Sequence, residues 1–255
     1  MSIWAIMATC GRHHLAERSL KFFLDQHSVG KSGLLIYNNS DVEIKDVDVS
    51  APHENVNSIV KLVNQHIDSQ TGKRYTNLGA IYNDAIKHLP EDAKVIIHWD
   101  DDDIFLPNHI NEGLNGLQRA IYEGKKAYKP AKSWYRHAGG VELMSNTLEP
   151  SIFVLADHIK EYGYSLTTTD QHLQWVNPLV YENQILVEDA GVPTLIYNWG
   201  DVNIPTFKTS GNAGSPGNFD NYRKFSQDHG DRILTPWDNI NIHEYYNLVK
   251  QGNGS

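Results

Sequence analysis

Residues 95–103 read VIIHWDDDD, an apolar run that ends in four consecutive aspartates. The apolar part predicts a buried strand. Neighbouring carboxylates repel one another by roughly 1–4 kcal/mol per close pair, depending on screening. A divalent cation placed among them turns that repulsion into binding free energy, and Mg²⁺ and Mn²⁺ prefer oxygen ligands of this kind. Because open α/β sheets bind ligands at the carboxyl ends of their strands, the pattern indicates a site for a metal ion and a diphosphate.

Two other structures also contain acidic runs. Aspartates often cap helices or fill solvated turns, although a plain turn more often carries Gly, Asn or Ser and needs no hydrophobic strand before it. A calcium loop of the EF-hand type would start at Asp101 and take its last ligand from Glu112. Its sixth position requires glycine, which is Leu106 here, and Phe105 occupies a ligand position. The sequence therefore excludes the EF-hand and leaves the solvated turn as the alternative.

The composition limits the class of protein. The chain has 255 residues, enough to bury a sizeable core. A formal net charge of −9 argues against general binding to polyanions but is compatible with a local basic patch. One cysteine, Cys10, excludes an intrachain disulfide and suits a reducing compartment. No apolar run reaches the ~18 residues of a membrane span, and no basic segment of a signal peptide begins the chain. These features predict a soluble, cytoplasmic protein.

Strand-like and helix-like segments alternate through the first hundred residues. Strands are predicted at residues 3–8, 34–37 and 95–99, and helices at residues 15–26, 56–67 and 77–88. Such alternation predicts βαβ units. The expected fold is therefore α/β, with a Rossmann-like, mainly parallel central sheet flanked by helices.

The second half of the chain has a less regular pattern. Its predicted elements are a helix at residues 110–122, a strand or helix start at 151–156, a helix start at 170–176 and a last strand at 194–197. Residues near 208–220 are rich in Gly, Ser, Asn and Pro, which predicts a mobile loop. We predict one catalytic domain over residues 1–255, with a nucleotide and metal half at 1–110 and an acceptor half at 111–255.

Four short motifs follow one another along the first 110 residues. They contain Thr9 and Arg12 after the first strand, Asp41 after the second, Asn77, Gly79, Ala80 and Asn83 in a helix, and Asp100, Asp102, Asp103 and Pro107 after the third strand. In this order they resemble the family 2 glycosyltransferases with the GT-A fold. The resemblance implies transfer of a sugar from a nucleotide-diphosphate sugar to an acceptor hydroxyl, with a divalent metal ion.

The resemblance also implies a role for each matched residue. Asp102 is expected to bind Mn²⁺ or Mg²⁺ together with Asp103, and Asp100 to contact the ribose or the water shell of the metal. Asp101 is expected to point the opposite way along the strand and to matter least. The donor, expected to be a UDP-sugar, would be bound by Thr9, Arg12, Asp41, Asn77 and Asn83, and by Lys208 from a later loop.

The family's acidic pair before a helix has its best match at Asp170, where Thr169 replaces the usual glutamate. The resemblance implies that Asp170 is the general base and that the anomeric configuration is inverted. Asp157, Glu161 and Glu188 are alternative bases. An aspartate at a helix start can also be only a cap.

Residues 125–136 are basic and aromatic. They contain no acid and five basic residues, Lys125, Lys126, Lys129, Lys132 and Arg136. Cations interleaved with aromatic rings suit phosphates and stacked bases or sugars. The acceptor candidates are therefore a glycan, a small molecule and DNA with a hydroxymethylated base, as for viral enzymes that glycosylate their own genome. The alternative is a surface segment whose aromatic rings pack inward.

Two other functions share part of this pattern. A sugar-phosphate nucleotidyltransferase would have the same sheet and metal carboxylates, but it should carry a Gly-rich basic loop after its first strand. Gly11 and Arg12 alone are a slight match to such a loop. A non-catalytic carbohydrate-binding module could use the aromatic residues and a cation, but it would not need the nucleotide-side motifs.

Overall fold

The computed structural model of the protein describes residues 1–27, 30–45, 47, 57–137, 140–147, 149–167, 170–189 and 193–198. Side chains are described for these residues except at positions 136, 137 and 140–142. Lys208, the predicted loop near residues 208–220 and Thr169 lie outside the described residues. The predicted division of the chain near residue 110 stays a prediction.

Strands and helices alternate along the described chain. The strands are β1 (Ile3–Thr9), β2 (Ser32–Asn38), β3 (Ser58–Asn64), β4 (Val95–His98), β5 (Ile104–Phe105), β6 (Ala127–Pro130), β7 (Lys132–His137), β8 (Gly140–Ser145), β9 (Phe153–Leu155), β10 (Ile185–Glu188) and β11 (Leu195–Asn198). The α-helices are α1 (His13–Leu24), α2 (Leu78–Ala85), α3 (His109–Tyr122), α4 (Ala156–Tyr162) and α5 (Leu173–Tyr181). Short 3₁₀ turns occupy Ile86–His88 and Glu149–Ser151.

Two sheets organise these strands. The larger has the order β10-β6-β9-β4-β1-β2-β3, and both predicted halves contribute strands to it. Its strands β3, β2, β1 and β4 run parallel, β10 is parallel to β6, and β9 is antiparallel to both of its neighbours. The smaller sheet has the order β5-β11-β7-β8. The prediction of a mainly parallel central sheet is therefore confirmed.

Helices cover both faces of the large sheet, so its central strands are apolar on both sides. Successive residues of β1 enter different cores. Ala5 and Met7 pack in the core that includes residues of α1 and α3. Trp4 and Ile6 pack in the core that includes residues of α2, α4 and α5. Continuous apolar strands are expected of a parallel sheet covered on both faces, which explains why these segments could be recognised from sequence.

The helix predicted at residues 56–67 is wrong. This segment contains β3, which pairs in parallel with β2 over seven residue pairs. Its side chains alternate between more and less exposed positions over Ser58, Ile59, Val60 and Lys61, as expected of an edge strand. Pairing with a distant strand overrides the weak helical spacing that suggested otherwise.

A buried carboxylate ties the segment after β3 to α2. Asp84 accepts hydrogen bonds from Tyr75 Oη at 2.6 Å, from the Ser69 amide at 2.8 Å and from the Ser69 hydroxyl, and Lys87 Nζ lies 2.6 Å from its Oδ1. Tyr75 Oη in turn lies 2.7 Å from Tyr37 Oη at the end of β2. Burial by itself raises the pKa of Asp84, but these hydrogen bonds outweigh it and lower the pKa to about 2.

Replacing Asp84 with asparagine should reduce the free energy of unfolding by roughly 2 kcal/mol at neutral pH. Because the folded-state pKa is lowered, this stabilisation is present above the unfolded-state value of 3.8 and is lost as the pH falls toward about 2. Urea unfolding of both proteins at pH 7 and at about pH 3 tests this, since the difference between them should shrink at the lower pH. Asp92→Asn is the control, because Asp92 pairs with Lys31 in solvent. An equal loss in the two variants would contradict the prediction.

Candidate functional site

Three carboxylates meet at the end of β4. One carboxylate oxygen each from Asp100, Asp102 and Asp103 lies within 4.8 Å of the other two. Asp102 and Asp103 are buried and Asp100 is half-buried. The strand ends at His98, and a turn then brings the three side chains to the same side. Hard oxygen ligands at this spacing fit a divalent cation such as Mg²⁺ or Mn²⁺.

Asp101 faces the N-terminal end of α1 instead. Its carboxylate accepts a hydrogen bond from Thr9 Oγ1 at 2.7 Å and pairs with the Arg12 guanidinium, which also lies 3.3 Å from Asp102 Oδ2. Burial raises the pKa of Asp101 to about 6, while the Arg12 charge opposes that rise. Two of the predicted nucleotide contacts, Thr9 and Arg12, thus lie against the acidic run. They hold the acidic run in place through Asp101, the aspartate that was expected to matter least.

The small sheet supports the acidic run from the other side. Asp103 Oδ1 accepts a hydrogen bond at 3.0 Å from the backbone N–H of Asn198, the last residue of β11. Asn198 Nδ2 donates to the carbonyl of Asp102 at 3.0 Å. The strand that ends at Asn198 is predicted from sequence, but a role for Asn198 is not, because its position beside the acidic run depends on the pairing of β11 with β5.

Asp41 lies after β2, beside the end of β1. The two strands are paired to their last residues, Thr9 and Asn38, and the Asn39 N–H donates to the Thr9 carbonyl at 3.0 Å. Asp41 itself is exposed and pairs with Arg74 at 2.5 Å. The polar residues after β2 therefore lie at the same edge of the sheet as the acidic run. Open α/β sheets bind their ligands at this edge.

Asn77 and Asn83 make structural contacts at α2. Asn77 is the N-cap, and its side chain accepts a hydrogen bond from the Ala80 N–H at 2.8 Å. The amide of Asn83 contacts the backbone of Tyr164 twice, accepting from its N–H at 2.9 Å and donating to its carbonyl at 2.8 Å. Asn83 thus holds the segment that leads to Asp170. Contacts of Asn77 and Asn83 with a nucleotide stay a prediction.

Gly79 allows that segment to approach α2 closely. Its N–H donates to the Thr167 carbonyl at 3.1 Å, and a Cβ atom at this position would lie 1.7 Å from the Ser165 carbonyl oxygen. Because a backbone atom must move, Gly79→Ala should lower the free energy of unfolding by about 1–3 kcal/mol. Gly30→Ala is the control, since its Cβ would meet only the Met1 carbonyl at 3.7 Å. Equal urea midpoints for the two variants would contradict this prediction.

Asp170 lies three residues before the start of α5. It is exposed, has a φ of 56°, and its carbonyl accepts from the Leu173 N–H at 3.0 Å. The N-cap of α5 is His172, so Asp170 is not the cap. Burial lowers the pKa of His172, but the charges of Glu149, Asp170 and Asp100 outweigh it and raise the pKa. Asp170 and Asp100 thus act electrostatically on the same imidazole.

The alternative bases lie in other surroundings. Glu188, on β10, pairs with Arg119. Asp157 and Glu161 are exposed residues of α4, where Asp157 occupies the first turn. A further acidic residue, Glu149, has its carboxylate 3.0 Å from His98 Nε2 and 2.7 Å from His172 Nδ1 and is not predicted from sequence. An isolated glutamate before a short strand carries no spacing signal.

Several cations of the basic segment at residues 125–136 contact polar groups. Three of its cations have partners, Lys125 with Glu123, Lys129 with the Asn146 carbonyl, and Lys132 with Asp189. Tyr128 and Tyr135 are buried in a hydrophobic core. The structure therefore favours the alternative in which aromatic rings pack inward. The side chain of Arg136 lies outside the described residues.

Solved structures with a similar fold include several of S. aureus TarS. No protein-family model and no curated protein matches the chain. A crystal structure of S. aureus TarS matches with a TM-score of 0.57 and 12% identity over 92% of this chain. The chain has the TarS fold. It spans 42% of that TarS chain, so the remainder of TarS has no counterpart in this comparison.

Two shorter TarS structures, of residues 1–349, match equally well. The complex with UDP has a TM-score of 0.56 and 11% identity, covering 97% of this chain and 78% of the TarS chain. The complex with UDP-GlcNAc has a TM-score of 0.56 and 14% identity, covering 96% and 73%. The likeness to TarS confirms the predicted fold class, an α/β fold with a large, mostly parallel sheet flanked by helices. Within the described residues, no helix has the length and apolarity required to cross a membrane.

Proposed function

We propose that the protein is a glycosyltransferase that moves a sugar from a UDP-sugar to an acceptor hydroxyl. The observation that carries this proposal is the convergence of Asp100, Asp102 and Asp103 at the sheet edge where β1, β2 and β4 end. The fold supports it, because TarS structures with this fold include complexes with UDP and UDP-GlcNAc. Inversion of the anomeric configuration and the predicted acceptors are part of the proposal.

Asp102 and Asp103 would hold a divalent metal ion, with Asp100 beside them. Their three carboxylate oxygens within 4.8 Å are a suitable donor set for Mn²⁺ or Mg²⁺. When bound, such an ion supplies charge stabilisation to the diphosphate leaving group. Arg12 would keep the acidic run in position, and Thr9 and Asp41 would line the nucleotide side. A contact between Lys208 and the diphosphate belongs to the same proposal.

Asp170 would accept the proton of the acceptor hydroxyl while the oxygen attacks the anomeric carbon. Its exposure leaves the carboxylate accessible to an acceptor, and its charge acts on the same imidazole as Asp100. The acceptor would be a glycan, a small molecule or a modified DNA base. The polar partners of Lys125, Lys129 and Lys132 argue for a neutral acceptor over a polyanion.

Thermal unfolding with nucleotides tests the donor. UDP and UDP-GlcNAc are added with and without Mn²⁺. GDP is the control for specificity toward the uracil base of the nucleotide. A ligand at 100 times its dissociation constant should add about 2.7 kcal/mol to the free energy of unfolding, and we expect this only when Mn²⁺ is present. If no nucleotide raises the melting temperature, the transferase proposal is excluded and a non-catalytic role for the acidic run is favoured.

A further inference from the structure

The Glu149 carboxylate joins β4 to the segment that carries Asp170. Its Oε1 lies 3.0 Å from His98 Nε2, and its Oε2 lies 2.7 Å from His172 Nδ1. The Glu149 side chain is 11% exposed, so these contacts are largely shielded from water. We call these three residues the His98–Glu149–His172 bridge.

The β4 end of the bridge is rigidly packed. The His98 ring stacks on the Trp175 ring with an interplanar angle of 8°, and its Nε2 lies 2.7 Å from Tyr164 Oη. His98 is buried, which lowers its pKa. It precedes Asp100 by two residues, so the start of the acidic run is connected to a side chain with several fixed contacts.

The other end of the bridge reaches the candidate base. His172 follows Asp170 by two residues and occupies the N-cap position of α5. Asp170 itself is exposed and has a left-handed backbone conformation. Gln171, between them, is buried and donates to Glu149 Oε2 at 3.4 Å. The contacts of Gln171 and His172 with Glu149 therefore restrain the backbone directly after the exposed carboxylate.

We propose that the His98–Glu149–His172 bridge positions Asp170 relative to the acidic run. The inference rests on the proposed function and deepens it, because it assigns positioning residues to the acceptor side of the same site. Transfer requires the base and the diphosphate to lie on opposite sides of one sugar carbon, and a misplacement of about 1 Å can cost on the order of 10²-fold in rate. A bridge of short, largely shielded contacts from β4 to the residues after Asp170 would keep that separation constant.

Release of UDP from UDP-GlcNAc in the presence of Mn²⁺, with water as the acceptor, tests the bridge without a known acceptor. The variants are Glu149→Gln, which removes the charge at constant shape, and His172→Asn, which retains a donor near the Nδ1 position. Each should lower turnover by about 10- to 100-fold. The dissociation constant of UDP should stay within about twofold, because binding does not use Asp170.

A second set of variants separates positioning from simple destabilisation. Residues that act as a unit are not additive, so Glu149→Gln should cause no further loss of turnover in a protein that already carries Asp170→Asn. His158→Asn is the matched control. It removes another buried imidazole, whose Nε2 lies 2.7 Å from the Trp175 carbonyl in α5. It should lower the melting temperature and leave turnover unchanged.

The outcomes distinguish the two proposals. A wild type that neither binds UDP-GlcNAc nor releases UDP overturns the proposed function and the bridge with it. If the wild type and the Glu149→Gln and His172→Asn variants are all fully active, the bridge alone is overturned. A further loss of turnover when Glu149→Gln is added to Asp170→Asn also overturns the bridge alone. If the wild type binds UDP-GlcNAc without releasing UDP, amide hydrogen exchange of the wild type and of Glu149→Gln tests the bridge instead. Unchanged protection of the amides at residues 170–173 in Glu149→Gln then overturns the bridge.

Discussion

Replacing Asp102 with alanine is expected to abolish the Mn²⁺-dependent binding of UDP-sugars. Asp102 is buried, lies at the centre of the acidic run and shares the Arg12 guanidinium with Asp101. Without its carboxylate the metal site loses a central ligand, and a freed Arg12 can compete for the remaining acids. We expect affinity for UDP-GlcNAc to fall by more than about 100-fold, since even residues outside the ligand shell are typically worth 10–100-fold.

Titration calorimetry with UDP-GlcNAc and Mn²⁺ measures this loss directly. Asp102→Asn is a second variant, because its amide oxygen preserves an acceptor for Arg12 while the charge is removed. Asp92→Ala, at an exposed ion pair with Lys31, is the control for loss of an acidic side chain. Binding of UDP-GlcNAc to Asp102→Ala with wild-type affinity would show that the acidic run is not the metal site.

Replacing Asp170 with asparagine should leave UDP-sugar binding intact and remove transfer. The substitution retains the size of the side chain and an amide that tolerates the positive φ of 56°. It removes the proton acceptor, and general-base catalysis is typically worth about 10²–10⁴ in rate. Turnover should therefore fall by that factor while the dissociation constants of UDP and UDP-GlcNAc remain those of the wild type.

The alternative bases provide the comparison for Asp170. Asp157→Asn, Glu161→Gln and Glu188→Gln are assayed in parallel, and each should retain near wild-type turnover. Glu188→Gln is the most informative of these because it also breaks the ion pair with Arg119. Full turnover in Asp170→Asn, with loss in any of the other three, would reassign the base.

The strands that are buried on both faces could be predicted from their local hydrophobic pattern. β1, β2 and β4 are continuous apolar runs, and such runs occur where a parallel sheet is covered on both sides. β3 was assigned to a helix because it lies at the edge of the large sheet, where one side is partly exposed and the apolar spacing is ambiguous. The two-residue strand β5 is too short to show a period, so only its pairing with β11 defines it.

The candidate site divides in the same way. The metal-ligand candidates Asp100, Asp102 and Asp103 are adjacent in sequence, and a buried strand aims them, so composition and order sufficed to find them. Arg12 pairs with Asp101 across 89 residues, and Asn198 donates to Asp103 across 95. Contacts over such separations leave no spacing in the sequence, because they depend on which strands are neighbours.

The α/β class, the parallel core strands and the acidic run at the end of β4 could be predicted from the amino-acid sequence. These features are local, since they depend on hydrophobic period and on residues that follow one another. Three contacts became apparent in the folded chain alone: Asp101 with Arg12 and Thr9, Asn83 with the segment before Asp170, and Glu149 with His98 and His172. Each of these contacts forms when packing brings distant polar groups into a buried environment, where an unpaired group would cost free energy and a partner is therefore required.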